Sequence, residues 1–173
     1  MHPLHLFEYC PKCGSRLFEE NNDKSKKCTA CGFVYYFNPS AACVAFIMNE
    51  KNELLVAKRA KEPAKGTLDL PGGFIDMYET AEKGIAREVK EETGMEVTAT
   101  HYLFSLPNTY PYSGFTVHTL DMFFMCKVNS CDNVQAMDDV AETMWMPLNE
   151  INPEAFGLHS IRKGIGMFLE RMK

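Results

Sequence analysis

The stretch "REVKEETG", Arg87–Gly94, places three glutamates close together on a predicted helix. Glu88 precedes Glu91 by three positions and Glu92 by four, and helical residues at these spacings are neighbours on one face. Like charges at these spacings repel each other, so the cluster on its own would destabilise the helix. The stretch therefore predicts a site at which positive charge from outside the chain neutralises the carboxylates.

The residues around this stretch predict where the helix begins and ends. Thr80 can cap the N-terminus with its hydroxyl, and Gly94 follows the last periodic residue, as helix-terminating glycines do. Between them, apolar residues recur every four positions and form one stripe: Ala81, Ile85 and Val89. We therefore expect a helix that runs from Thr80 to about Thr93 and carries its glutamates at the border of the core.

The carboxylates and the loop before the helix are suited to a hard divalent cation. Magnesium prefers oxygen ligands and is commonly bound by a few carboxylates together with substrate phosphates. The loop "LPGGFID", 70–76, contains consecutive glycines, which allow the backbone to approach a ligand closely and to offer carbonyl oxygens. Arg87 lies four residues before Glu91 and can pair with it. For the acids taken alone, the alternative is a solvated charged face.

A longer pattern favours the metal site over that alternative. From Gly73 to Met95 the chain reads G-x5-E-x7-R-E-V-K-E-E-T-G-M. This pattern resembles the characteristic motif of the Nudix hydrolases at every specified position, and the resemblance extends over most of residues 39–173. It implies an α/β fold, in which helices enclose a mixed sheet as an α/β/α sandwich. It also implies hydrolysis of a nucleoside diphosphate linked to another group.

The resemblance also implies a role for each acidic residue. Magnesium or manganese would be bound by a carbonyl and by carboxylates from Gly72, Glu88, Glu91, Glu92 and the downstream Glu142. Nudix enzymes differ in which glutamate is the general base, and we expect Glu91, with Glu88 as the alternative. Arg87 would orient the cluster, and Glu79 would assist near the start of the helix. The metal would offset charge on the diphosphate and lower the pKa of the attacking water.

Length and composition indicate one globular domain with a small appended module. The chain has 173 residues, of which 46% are hydrophobic and 24% are charged, values that are ordinary for soluble proteins. No apolar run approaches the roughly 20 residues that span a bilayer, and the start "MHPLHLFEYC" lacks a secretory signal pattern. We therefore expect a cytoplasmic protein without membrane association. A net charge of -5 argues against broad nucleic-acid binding.

Cysteines near the N-terminus form two C-x-x-C pairs, in the segments "CPKCG" and "CTACG". The paired residues are Cys10, Cys13, Cys28 and Cys31. In a reducing compartment such pairs favour metal over disulfides, and four thiolates suit a tetrahedral zinc. Because such a site leaves no open coordination position, we expect the zinc to be structural. We assign residues 1–38 to a zinc ribbon and residues 39–173 to the Nudix domain.

The remaining segments predict a mixed sheet and a second helix. The segments "AACVAFIM" and "ELLVAKRA" read as a strand pair, and "EVTATHYLFSL", "FTVHTLDMFFMCKV" and "MWMPL" read as further strands. The segment "SIRKGIGMFLERM" has apolar residues at helical spacing. In the ribbon, the polar run "EENNDKSKK" reads as a loop.

A zinc ribbon placed before a Nudix domain resembles the NADH pyrophosphatase branch of the family, which carries the signature S-Q-P-W-P-F-P-x-S. The corresponding stretch is "SLPNTYPYS", 105–113, which departs from the signature at Leu106, Asn108 and Thr109. The resemblance implies a small nucleotide substrate such as NADH or ADP-ribose, and a homodimer. Aromatic side chains can stack on a base, although ordinary packing is the alternative. The predicted substrate-binding residues are Tyr36, Ser105, Tyr110, Tyr112 and Ser113.

Two other functions are open at the level of sequence. One is the hydrolysis of modified nucleoside triphosphates, a housecleaning reaction that yields pyrophosphate and a monophosphate instead of two monophosphates. The other, of a different class, is a non-catalytic nucleotide sensor or a zinc-ribbon interaction module. The complete set of acids argues against a pure sensor, and the near-neutral charge of the ribbon argues against DNA binding.

Overall fold

The computed structural model of the protein describes residues 2–132, 134–138 and 140–173. The helices are α1 (Ala81–Thr93) and α2 (His159–Arg171), with short 3-10 turns at Leu148–Glu150 and Pro153–Ala155. The strands are β1 (Phe18–Asn22), β2 (Ser25–Cys28), β3 (Val34–Tyr36), β4 (Ser40–Ile47), β5 (Glu53–Arg59), β6 (Leu68–Asp69), β7 (Gly72–Phe74), β8 (Val97–Tyr112), β9 (Phe115–Val128) and β10 (Val140–Pro147). None of the helices in these residues is long and apolar enough to cross a membrane.

Strand β4 lies at the centre of the main domain and separates two hydrophobic cores. It belongs to a mixed sheet of order β7-β4-β9-β8, in which β4 runs parallel to β9 and the other pairs are antiparallel. Because successive strand residues point to opposite faces, Val44 and Phe46 pack towards α2, while Ala45 and Ile47 pack towards α1. A second sheet, β10-β5-β6, lies beside it. The predicted α/β/α arrangement around a mixed sheet is confirmed.

Helix α1 begins and ends where the sequence predicts. The Thr80 hydroxyl accepts a hydrogen bond from the Lys83 backbone N–H at 3.3 Å and so caps the N-terminus. Gly94 ends the helix in the left-handed conformation, with φ of 74°, which a residue without a side chain adopts without strain. Ile85 and Val89 are fully buried against β4 and fix the face that the helix presents to the core.

Helix α2 covers the opposite face of the sheet. The rings of Phe168 and Phe46 stack with centroids 4.1 Å apart, which anchors the helix to β4. Gly164 allows the helix to lie close to β9, because a Cβ atom at this position would lie 2.5 Å from the buried ring of Phe123. Gly166 lies two residues further along the helix, and a Cβ atom added there would have no neighbouring atom within 4 Å.

The β8–β9 hairpin extends beyond the strands that the sequence predicts. Residues Ser113 and Gly114 form its two-residue turn with positive φ angles of 50° and 74°, as a type I′ turn requires. Strand β8 continues through Pro107 and Pro111, past the end of the predicted segment at Leu106. Because β8 is at the edge of its sheet, these prolines are not required to donate to a further strand. Both prolines nevertheless pair in register with β9, Pro107 with Leu120.

The N-terminal ribbon is a small antiparallel sheet of order β1-β2-β3. The prediction of a loop at "EENNDKSKK" is wrong, because these residues form most of the β1–β2 hairpin. The strands are polar because the ribbon has only a small core, formed by Phe18, Cys10 and Cys28 with Phe33 packed against it. Lys26 is largely buried, and its ammonium group donates a hydrogen bond to the Phe7 carbonyl at 2.7 Å.

The four ribbon cysteines converge on one point. Their sulfur atoms all lie within 4.8 Å of one another, with Cys10 to Cys31 at 3.8 Å and Cys13 to Cys28 at 3.6 Å. A tetrahedron with Zn–S bonds of about 2.3 Å has sulfur–sulfur edges of about 3.8 Å, so the thiols fit a zinc ion. Each C-x-x-C pair is closed by a glycine N–H that donates to the carbonyl of the pair's first cysteine, at 2.8 and 2.9 Å.

The ribbon packs against the tip of the β8–β9 hairpin through aromatic rings. Phe115 at the start of β9 contacts Phe7 edge-on at 5.8 Å between centroids and Phe37 at 5.4 Å. Phe37 also meets the ring of His118 at 5.8 Å. The predicted boundary between residues 38 and 39 falls between β3 and β4, and the two domains on either side of it remain a prediction.

Removal of metal from the ribbon is expected to unfold it. The purified protein should contain one zinc per chain by inductively coupled plasma mass spectrometry, and Cys28→Ser should lower this content to well under half. Without the ion the small core cannot offset the conformational entropy of the ribbon, so far-UV circular dichroism and proteolysis should report loss of its strands. Cys131→Ser is the control, since this cysteine lies outside the cluster. Equal zinc content in both variants would contradict the assignment.

Two glycine substitutions in α2 should change stability in opposite directions. Gly164→Ala places a methyl group against Phe123 and should lower the free energy of unfolding by about 1–3 kcal/mol. Gly166→Ala meets open space and should raise it by up to about 1 kcal/mol, because alanine favours the helix. Urea denaturation followed by circular dichroism measures both. Equal effects of the two changes would show that α2 does not pack on β9 through Gly164.

Candidate active site

The glutamates of α1 lie against the glycine loop that forms β7. Gly73 directly faces Glu88, and a Cβ atom on Gly73 would lie 2.6 Å from the Glu88 carboxyl carbon. Any side chain at this position would therefore displace the carboxylate. The predicted close approach of the backbone at "GG" is present, and it is the absence of a side chain that permits it.

Gly72 holds the third glutamate of the cluster. Its backbone N–H donates to Oε2 of Glu92 at 3.0 Å, and its φ of 150° together with contact to the Cys43 carbonyl excludes a side chain. Glu92 is 8% exposed, so this hydrogen bond helps to keep a buried carboxylate in place. The Gly72 carbonyl, predicted to be a metal ligand, belongs to the residue that also fixes Glu92.

Arg87 joins the acids into one network. Its guanidinium donates to both oxygens of Glu79, at 3.1 and 2.9 Å. It also donates through Nη1 to Glu88 at 2.8 Å and to Glu91 at 3.0 Å. A further bond from Nη2 reaches the Phe74 carbonyl on β7 at 2.9 Å. The predicted pairing of Arg87 with Glu91 is thus one of several contacts that tie the helix to the loop.

The environment shifts the pKa values of two carboxyls in opposite directions. Hydrogen bonds from Arg87 lower the pKa of Glu79, so this side chain stays ionised. Burial raises the pKa of Glu88, and the nearby charges of Glu91 and Asp138 raise it further, against the opposing effect of Arg87. A positive charge placed near Glu88 would therefore oppose the effect of its burial.

The carboxylates can hold a divalent cation by their chemistry. Glu88, Glu91 and Glu92 offer hard oxygen ligands, and a carboxylate retains further lone pairs after it accepts one hydrogen bond. Within the described part of the chain, only the ribbon cysteines form a group of three or more ligands within 4.8 Å of one another. Glu88 and Glu91 lie around Arg87 instead, with side chains that are 15% and 49% exposed, while Glu92 accepts from the Gly72 backbone.

Downstream of the motif, two acids have different relations to the cluster. Glu142 is exposed on β10 opposite Lys58, and the hydrogen bonds and ion pairs described do not join it to the motif acids. Its role as a metal ligand stays a prediction. Asp138, which the sequence reasoning missed, is close enough to raise the pKa of Glu88. No spacing rule connects it to the motif, so only the fold reveals it.

A cleft of about 190 Å³ opens beside Gly72, Gly73 and Glu92. One face of the β8–β9 hairpin lines it as well, and basic side chains are also part of its lining. The hairpin residues are Asn108, Tyr110, Thr119 and Asp121, and the basic residues are Lys58, Arg59 and Lys61. The glycine loop and the hairpin thus share one cleft.

Of the predicted substrate-binding residues, Tyr110 lines this cleft. Burial raises the pKa of its phenol, with a smaller contribution from the charge of Asp121. Ser105 pairs with Met122 deeper in the hairpin, and Tyr36 is exposed on the ribbon. Tyr112 and Ser113 lie at the hairpin tip, in a separate groove shared with Phe7 of the ribbon. Of the five, Tyr110 therefore lines the cleft that the motif also lines, and the other four do not.

The polar residues of the cleft wall form a buried network that sequence reasoning missed. The hydroxyls of Thr119 and Ser160 each donate to the Asp121 carboxylate, and all three residues are buried. Arg59 forms an ion pair with Asp69, whose pKa is raised by burial and lowered in part by the arginine. The one available signal was the alternation of polar positions 119 and 121 within the apolar strand "FTVHTLDMFF".

Comparisons with known proteins agree with the motif. The sequence profile of the NUDIX domain matches residues 38–165. Over 155 residues the chain is 28% identical to NAD-capped RNA hydrolase NudC of Vibrio parahaemolyticus, which covers 89% of this chain and 56% of that protein. The chain thus spans about half the length of the NudC relatives it matches.

A shorter relative and a solved structure match more of their own length. A protein named ADP-ribose pyrophosphatase from Methanocaldococcus jannaschii is 34% identical over 130 residues, which covers 74% of this chain and 73% of that protein. The crystal structure of a NUDIX hydrolase from Nitrosomonas europaea superposes with a TM-score of 0.72 at 23% identity, over 95% of this chain and 91% of that one. The structural similarity concerns the fold. Because the profile match and the archaeal relative each cover about three quarters of the sequence, the chain belongs to the NUDIX family.

Proposed function

We propose that the protein is a metal-dependent pyrophosphohydrolase, which cleaves the diphosphate linkage of a nucleoside diphosphate derivative such as NADH or ADP-ribose. The observation that carries the proposal is the shared cleft: Gly72, Gly73 and Glu92 of the motif line the same cavity as the polar wall of the hairpin. A diphosphate bound at the motif would therefore extend its remaining groups along that wall. The names of the NudC and archaeal relatives support the same reaction class.

The motif side chains have separate tasks in this reaction. Glu91 is the most exposed of the three glutamates and is proposed to accept a proton from the water that attacks phosphorus, with Glu88 as the alternative base. Arg87 orients both carboxylates through its Nη1 atom, and Glu79 holds the guanidinium in place with two hydrogen bonds. Glu88, Glu91, Glu92 and the Gly72 carbonyl are proposed to hold magnesium or manganese.

A metal held there would supply charge compensation for the diphosphate and would lower the pKa of its bound water. Lys58 and Lys61 would add a second source of positive charge, because both line the cleft. Zinc in the ribbon is proposed to be structural, since four sulfur ligands leave no position for water or substrate. A cytoplasmic location and a homodimer stay part of the proposal.

A substrate panel separates the proposed activity from its alternatives. NADH, ADP-ribose, a NAD-capped oligonucleotide and modified nucleoside triphosphates are incubated with magnesium or manganese, and the products are separated by chromatography. Cleavage of NADH or ADP-ribose to two monophosphates is expected. Release of pyrophosphate from a triphosphate would favour the housecleaning reaction instead. Binding without turnover of any compound would favour a nucleotide sensor.

Glu91→Gln should abolish turnover while preserving folding and nucleotide binding. Loss of a general base lowers kcat by about 100- to 10,000-fold, whereas the amide keeps the size of the side chain. Steady-state kinetics and isothermal titration calorimetry measure the two quantities. Glu96→Gln is the matched control, because Glu96 is an exposed acid outside the motif, paired with Lys90 at 3.0 Å. Full activity of Glu91→Gln would refute the assignment of this residue, and an equal loss in Glu88→Gln alone would transfer the role to Glu88.

A further inference from the structure

The side-chain amide of Asn108 is the least satisfied polar group on the cleft wall. Asn108 is 5% exposed on β8, and its Oδ1 atom is fully buried without a hydrogen-bond partner among the described residues. The residue lines the cleft that the motif also lines. A buried polar atom without a partner costs stability, and a ligand group that donated to Oδ1 would supply the missing hydrogen bond.

The neighbours of Asn108 complete a polar surface on one face of the hairpin. Thr119 is directly opposite Asn108 in the β8–β9 register, and Asp121 follows on the same face of β9. The hydroxyls of Thr119 and Ser160 donate to the two different oxygens of Asp121, which orients this carboxylate and leaves it only as an acceptor. Three side chains, each at least nine-tenths buried, therefore meet along the wall: Asn108, Thr119 and Asp121.

We propose that Asn108 is the specificity-determining residue of the cleft and reads the hydrogen-bonding edge of a planar ring in the substrate, with Asp121 as an additional acceptor. The inference rests on the proposed function, since it places the diphosphate of the same substrate at the motif. The recognised group is a ring edge on which an N–H donor lies next to a hydrogen-bond acceptor.

The chemistry of an amide explains this choice. An asparagine side chain offers one acceptor and two donors, so it pairs in two places with an edge that carries a donor and an acceptor, as with N6 and N7 of adenine. The carboxamide of nicotinamide has the same arrangement. Asp121 accepts but does not donate, which favours rings rich in N–H groups. Asn108 is also one of the departures from the resembled signature, which has tryptophan at this position and thus no hydrogen-bond acceptor.

The substitution Asn108→Leu separates recognition from stability. Leucine has a similar size and removes the buried amide, so the variant should unfold at an equal or higher temperature than the wild type. A purely structural role for the amide predicts the reverse. Thr109→Leu is the control, because Thr109 is exposed and points to the other face of β8. Asn108→Ala is the second variant, in case leucine does not fit the wall.

Two substrate pairs test which ring is read. ADP-ribose is compared with inosine diphosphate ribose, which lacks the 6-amino group, and NAD with nicotinic acid adenine dinucleotide, which has a carboxylate in place of the carboxamide. The wild type should prefer the first member of one pair by about 10- to 100-fold in kcat/KM. Asn108→Leu should bring this preference close to unity, mainly through KM, because the ring is remote from the reacting phosphorus.

The outcomes distinguish the inference from the reaction on which it rests. Hydrolysis with the same preference in wild type and Asn108→Leu, or with no preference in either pair, would overturn the role of Asn108 and leave the pyrophosphohydrolase intact. If the wild type hydrolyses none of the four compounds, the proposed function fails, and calorimetry with ADP-ribose and NAD decides the inference. Weaker binding of either compound by Asn108→Leu than by Thr109→Leu would then support it, and equal binding would overturn it.

Discussion

The ion-pair network of Arg87 is the interaction on which the rest of the site depends. One guanidinium holds Glu79, Glu88 and Glu91 and also reaches the Phe74 carbonyl, so it ties helix α1 to strand β7. Without this group, the acids would repel each other, and the hydrogen bond from the Gly72 N–H to Glu92 would be the remaining described polar contact between the glycine loop and the helix. The planar fork of arginine makes this possible, since its donors point in several fixed directions at once. The cation that the sequence predicts would therefore add to a neutralisation of the acids that Arg87 already provides.

Much of the motif was predictable because its residues are near one another in the chain. Helix α1, its cap at Thr80, its end at Gly94 and the pairing of Arg87 with Glu91 all follow from local spacing. Predictions failed where long-range pairing decides the structure. The polar hairpin of the ribbon forms strands despite its composition, and β8 continues through its prolines because it is an edge strand.

The cleft wall shows a different limit of sequence reasoning. Its polar groups come from separate segments that only the fold brings together: Arg59, Asp69, Asn108, Thr119 and Asp121, with Ser160 of α2 donating to Asp121 from behind the lining. No fixed spacing connects these residues, and each of them alone reads as an ordinary polar residue in a strand or helix. Tyr36 and Tyr112 were predicted to bind the substrate because aromatic rings can stack on a base, yet both lie outside this cleft. The motif that indicates the reaction class is one contiguous stretch of sequence, whereas the polar residues of the cleft are brought together only by the fold.

The contact between the ribbon and the hairpin connects the cysteine cluster to the cleft. The same strands β8 and β9 carry the cleft wall along their length and meet the rings of Phe7 and Phe37 at their tip. An edge hairpin of this length would twist and fray at its free end if nothing covered it. The ribbon covers this end through Phe7 and Phe37, so the order of four cysteines near the N-terminus bears on the shape of a cleft in another part of the chain.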